Sequence, residues 1–289
     1  MIREIAKQLS FPEEAIEVMG EVYDIVTSNE EGNDTLALAM DAFFGNKEYD
    51  PLLDQLTEMA GCHRYTMDMM FLLVCSDALH DIFYIREISD EIFWDTMMDL
   101  KYKLMECKNL YDIWGTMTIG WLQGYFFCER FKLGRLQYDI KEFQYDDYKG
   151  VLKKGDPVWT CHIPSCGPLL IEDVMESFKM AYEFYKDELK DGILPIVCLS
   201  WLVYTPHYNI YPPTSNLRKF YELFDIIGSV ENKNGNIWRV FNVEEPDDYS
   251  TLPENTGLQR CMKQFLMDGN VMGEGYGVAL FDGEKIINR

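Results

Sequence analysis

His162 stands at the end of an apolar, β-branched run over residues 158–163 and is followed at once by Pro164-Ser165-Cys166-Gly167-Pro168. A histidine changes charge near neutral pH, so one held at a strand end is a candidate general base. The same residue type can also be structural, bonded to a backbone carbonyl. The run before it predicts a buried strand, and the two prolines stop that strand. Residues 171–189 then carry Val174, Phe178, Ala181, Tyr182 and Tyr185 at helical spacing, with Glu172 and Asp173 in the first turn. A strand that runs through a glycine-containing loop into a helix N-terminus aims free N–H groups at whatever lies beyond it, and so suits an anion. An ordinary strand-to-helix turn has the same pattern.

Other polar groups fall nearby in the predicted elements. Ser200 interrupts an apolar run and needs a partner; it could orient His162 or donate to an oxyanion, or serve as a structural hydroxyl. No Gly-x-Ser-x-Gly elbow surrounds it, so a nucleophile is disfavoured. Arg135 and Gln137 alternate onto one face of a strand predicted over 133–143, where they could touch a polar substrate or simply face solvent. Trp201 reads as core or as a substrate platform, and Asn216 as a helix cap or a substrate contact. Tyr204, His207, Tyr208 and Tyr211 lie in a proline-rich loop that could rim a substrate site or cover the sheet edge. Cys161 and Cys166 flank His162, but alternation puts Cys161 on the opposite strand face, and four scattered histidines build no metal site. A metal is therefore not expected. Paired carboxylates of the glycoside-hydrolase kind do not stand out.

The elements that must hold these groups are predicted from periodicity. Helices are expected from a capping box at Ser10-Phe-Pro-Glu13 to about residue 26, then over 36–44, 49–59, 65–85, 90–105 and 114–128. Strands are expected over 133–143, 158–163, 194–204, 237–243 and 276–281, with helices over 171–189, 217–224 and 255–267. The glycine-rich Met272–Gly277 precedes a strand rather than a helix, so it reads as a turn or bulge and not as a phosphate loop. The fold class is α+β: an all-helical part over residues 1–130, then a mixed α/β part over 131–289.

Composition narrows the function classes. Net charge is −23, with 24 acidic against 8 basic side chains in residues 1–128 and 25 against 18 in the rest. Such a surface repels phosphate backbones, so nucleic acid is not an expected partner. No apolar run reaches membrane-spanning length and no signal peptide is visible, so neither membrane insertion nor export is expected. Eight cysteines without a Cys-x-x-Cys pair, several inside apolar runs, read as reduced cytoplasmic thiols.

Three segments occur in order and at characteristic distances: Leu133-Gly-Arg-Leu-Gln-Tyr, His162-Ile-Pro-Ser-Cys-Gly-Pro-Leu, and Ser200-Trp-Leu-Val followed by Thr214-Ser-Asn-Leu. Together they resemble a bacterial family of two-domain acyltransferase-domain-containing proteins, in which a helical N-terminal domain precedes a GNAT-like C-terminal domain. The resemblance implies transfer of an acyl group from acyl-CoA to an amine, a small-molecule acceptor. The CoA pyrophosphate would lie on Ser165, Cys166, Gly167, Leu169 and Leu170. Beside the resemblance, the residues' own types and positions make His162 and Ser200 the candidates for chemistry, and Arg135, Gln137, Trp201, Tyr208 and Asn216 those for substrate. The loop departs from the familiar GNAT pattern Gln/Arg-x-x-Gly-x-Gly/Ala, having one glycine and two prolines. The competing expectation is a non-catalytic module of the same fold that binds a small polar ligand or a protein in that cleft.

Overall fold

The computed structural model describes residues 1–231 and 236–289. It divides into two units, Met1–Phe131 and Lys132–Arg289.

The first unit is helical: α1 (Ile2–Gln8), α2 (Glu13–Thr27), α3 (Glu30–Phe44), α4 (Asp50–Ala60), α5 (Arg64–Ile85), α6 (Asp90–Met97), α7 (Asp99–Tyr111) and α8 (Ile119–Phe126). The apolar run expected at the centre is α5, whose residues 66–76 are all buried. Most deviations from the expected boundaries lie at helix ends. Ser10 does not cap α2; it takes a left-handed turn at φ 54° after the unforeseen α1, and Pro12 occupies the cap position without a side-chain bond. Helix α3 starts six residues earlier than expected, because Asn29 accepts from the Gly32 amide at 2.8 Å. The helix expected over 90–105 breaks at Met98, where Asp99 turns inward to accept from the Tyr125 hydroxyl at 2.8 Å. Helix α8 is shorter than 114–128, since the Thr116 amide donates to the Tyr65 carbonyl at 2.9 Å instead of continuing a helix. Among the described residues no helix is long and apolar enough to cross a membrane.

The sheet part contains β1 (Arg130–Leu133), β2 (Leu136–Glu142), β3 (Asp147–Tyr148), β4 (Leu152–Lys153), β5 (Pro157–His162), α9 (Ile171–Tyr185), β6 (Leu194–Ser200), α10 (Asn216–Tyr221), β7 (Asp225–Glu231), α11 (Ile237–Phe241), α12 (Gly257–Met267) and β8 (Gly273–Phe281). Strand order in the main sheet is β1-β2-β5-β6-β8-β7, with β5 and β6 parallel; β2–β5, β6–β8 and β7–β8 are antiparallel. Helix α9 covers one face. Its Ser177 hydroxyl meets the Tyr138 hydroxyl at 2.9 Å and accepts from the Leu136 amide at 3.1 Å, and its Tyr185 ring lies 5.5 Å from Trp159. The other face is closed by Phe143, Tyr148, Val158, Val197, Tyr276 and Val278.

Four expectations are corrected here. The single strand over 133–143 is a hairpin that turns at Gly134 (φ 69°) and Arg135, so Arg135 does not share a strand face with Gln137. The strand over 194–204 stops at Ser200, and Trp201–Val203 form a 3-10 turn. The strand over 237–243 is α11: Ile237, Val240 and Phe241 are all buried, a three-and-four spacing that fits one helical turn better than alternation. The three glycines of 272–277 all lie inside β8, not in a turn. A Cβ on Gly275 would sit 1.9 Å from the Val203 carbonyl oxygen, so glycine is what lets the 3-10 turn cross the strand.

Candidate functional site

The site is set by where two parallel strands part. β5 and β6 are in register over Trp159↔Ile196 and Thr160↔Val197, and among the described residues the pairing ends there. Yet β5 continues to His162 and β6 to Ser200. Two central strands thus leave backbone edges open between them, an arrangement that invites an extended ligand. Leu199, inside β6, is 50% exposed, which places an apolar side chain at this opening. On the α9 side the gap is spanned by Cys161 and Cys198, both buried. Their mutual hydrogen bond and burial push the Cys198 thiol well up, so it stays protonated and inert.

The loop after β5 is held by Arg135. Its guanidinium donates from Nη1 to the Pro164 carbonyl (3.1 Å), from Nη2 to Gly167 (3.0 Å) and from Nε to Pro168 (3.1 Å). A planar fork is the side chain that can grip three carbonyls at once. Arg135, expected at substrate, is therefore spent on positioning the loop. Gly167 has φ 105° and open space around the place of a Cβ, so conformation rather than room requires glycine there. Leu169 is buried and anchors the loop, while Leu170, the N-cap of α9, is 42% exposed and makes no side-chain cap bond. The first N–H groups of any α-helix have no intrahelical acceptor, and Val174 is the residue whose amide first reaches back, to Leu170 at 3.1 Å. The amides at 171–173 therefore have no helical acceptor, and Cys166, half-buried, lies five residues before them.

His162 lies opposite Gln137 in the β2–β5 ladder, so the two side chains share a face, with Asp139 two residues along β2. His162 Nε2 is 3.0 Å from Asp139 Oδ1; the carboxylate is 2% exposed and the imidazole 20%. Lys141 Nζ stands 3.8 Å from Asp139 Oδ2. Gln137 is 1% exposed, and among the described residues its Nε2 has no hydrogen-bond partner. A buried amide without an acceptor is costly unless a ligand completes it. Sequence reasoning missed Asp139 as the partner of His162: its alternation with Gln137 was visible, but not the register that sets it opposite Thr160, two residues from His162.

Other expected site residues are placed elsewhere. Ser200 caps the 3-10 turn, accepting from the Leu202 amide at 3.2 Å, and strand alternation puts it with Cys198 on the α9 face, away from His162. It is Asp139, not Ser200, that orients the imidazole. Trp201 packs against the satellite core of Ile237, Phe241 and Met262, and its carbonyl accepts from His207 Nδ1 at 2.8 Å. His207 and Tyr211 are buried, as covering residues of the proline-rich loop would be and rim residues would not. Tyr208 is committed to neighbours: its hydroxyl donates to Glu222 at 2.9 Å and Arg218 lies 3.8 Å over its ring. Asn216 is the first residue of α10, whose cap is Ser215, accepting from the Arg218 amide at 3.2 Å. No group of three metal-ligating side chains occurs among the described residues.

Residues 131–279 match the family model "GNAT-like C-terminal domain", and residues 1–128 match "N-acyltransferase N-terminal domain". No curated protein matches the chain. Among solved structures, an acyltransferase in complex with decanoyl-CoA and teicoplanin is similar at TM-score 0.75 and 17% identity, over 96% of this chain and 87% of that one. An acyltransferase in complex with decanoyl-CoA gives TM-score 0.74 and 19% identity, over 96% and 86%. An acyltransferase mutant in complex with octanoyl-CoA gives 0.73 and 17%, over 96% and 86%.

Proposed function

Since the chain belongs to the GNAT-like C-terminal domain family, we propose that it transfers an acyl group from acyl-CoA to an amine. The observation that carries this reading is the parting of β5 and β6 after Thr160 and Val197, with an uncapped helix N-terminus at the end of the loop between them. CoA is an extended ligand with a pyrophosphate near its middle. Its pantetheine would complete the open strand edges, and its pyrophosphate would take the amides at the start of α9 from the loop of Ser165, Cys166, Gly167, Leu169 and Leu170. The exposed Leu199 gives an apolar contact for the pantetheine or acyl chain. That the similar solved acyltransferases hold octanoyl-CoA and decanoyl-CoA supports the choice of ligand and favours a medium-length chain.

The chemistry needs few groups. The amine nitrogen attacks the thioester carbonyl while His162 takes its proton. The Gln137 amide, buried and without an acceptor among the described residues, donates to the developing oxyanion. The C–S bond then breaks, the proton passes from His162 to the departing CoA sulfur, and the products are an amide and free CoA thiol. Holding both reactants in one cleft supplies much of the remaining acceleration.

Calorimetric titration with acetyl-CoA, octanoyl-CoA and decanoyl-CoA tests the reading. Micromolar binding is expected, weakened about tenfold or more by Leu170→Glu, which sets a negative charge at the proposed pyrophosphate position without disturbing buried structure. No binding of any of the three would remove acyl-CoA from the account. Binding without release of CoA thiol in a screen of amines would leave the fold as a ligand-binding module.

A further inference from the structure

We propose that Asp139 is a positioning residue that fixes the tautomer of His162, so that the ring nitrogen taking the proton from the amine is Nδ1. This rests on the reading of His162 as the base. Asp139 is 2% exposed, yet its carboxylate sits 3.0 Å from His162 Nε2, and the ladder register fixes both on one face of β2 and β5. An ionised carboxylate only accepts hydrogen bonds, so the Nε2 it touches carries the proton and the ring's lone pair resides on Nδ1. The strands supply the placement: Asp139 is opposite Thr160 and Gln137 opposite His162 in a six-residue antiparallel register, so both side chains leave the same face of the sheet. A buried aspartate facing a histidine two residues along the ladder is a geometry a sheet does not need for stability, because an apolar pair of the same size would pack there without burying a charge. When His162 takes the amine proton, the positive ring faces the Asp139 carboxylate across that same hydrogen bond. Lys141, 3.8 Å from the other carboxylate oxygen, is mostly exposed and turns toward solvent.

The direct test is nitrogen NMR on the full chain with 15N-labelled histidine. There are four histidines, and the His162 signals are assigned by their loss in His162→Gln. The expected neutral form carries its proton on Nε2, and Asp139→Asn loses that preference. A neutral His162 protonated on Nδ1 would overturn the proposal. Kinetics give the second arm, using octanoyl-CoA with benzylamine in excess and following release of CoA thiol. Asp139→Asn is expected to lower kcat roughly a hundredfold with KM for octanoyl-CoA unchanged, and to add nothing to the loss already caused by His162→Ala. If His162→Ala keeps full activity, the base assignment falls and this proposal with it. If His162→Ala is inactive but Asp139→Asn keeps its kcat, the positioning role alone falls.

Discussion

His207 is fully buried, and burial drives its pKa down from 6.5 to about 4, against the smaller opposing pull of its bond to the Trp201 carbonyl. The unfolded chain therefore binds a proton at this residue between pH 6.5 and 4 that the folded chain refuses. Stability from this group is complete above pH 6.5 and is lost as the pH falls toward 4, by about 1.4 kcal/mol per pH unit, or about 2 kcal/mol at pH 5. His207→Gln is expected to flatten that acid slope, read as the urea midpoint of tryptophan fluorescence from pH 7 to 5. An unchanged slope would mean that His207 is solvated in the folded state. At this scale the sequence was only half legible. The histidine at the strand end could be picked out from His162-Ile-Pro-Ser alone. Its partner Asp139 could not, because pairing across two strands depends on a register that no local pattern states. For His207 the sequence left a substrate rim and a sheet-edge cover both open, because a proline-rich loop looks exposed in sequence; its short 3-10 turn tucks the ring against Phe265 at 5.2 Å.

Among the elements, the loop between β5 and α9 is the piece on which binding turns, and Arg135 decides its shape. Three carbonyls held by one guanidinium cannot be matched by a single ammonium, so Arg135→Lys is expected to loosen the loop and weaken acyl-CoA binding by about tenfold while leaving the melting temperature within a few degrees. Titration of both proteins with decanoyl-CoA reads this; equal affinities would show that the loop holds its form unaided. The strand, loop and helix were each visible from residue patterns, since prolines, a glycine and helical spacing are local signals. The hairpin at Gly134-Arg135 was not distinguished from a continuous strand, because Leu133 and Leu136 flank a turn only two residues long. Strand β7 was missed for a related reason: it is a sheet-edge strand that shifts register between Ile226 and Gly228, and its alternation is broken by that irregularity. Helix α11 lost its identity to the β-branched and aromatic content of Ile237-Trp-Arg-Val-Phe, where burial and not propensity chose the turn.

For the whole molecule, the change from a helical first part to a mixed α/β second part was legible because each period extends over many turns or strands. The opening between β5 and β6 was not legible in the residues, since a gap between parallel strands depends on where pairing stops and leaves no mark in either strand. That opening is also what the functional account depends on most. Hydrogen–deuterium exchange on the full chain, with and without decanoyl-CoA, addresses it residue by residue. The account predicts slower exchange in the peptides covering 161–162, 165–173 and 198–200 when decanoyl-CoA is present. Unchanged exchange there at saturating ligand, or protection confined to other segments, would contradict it.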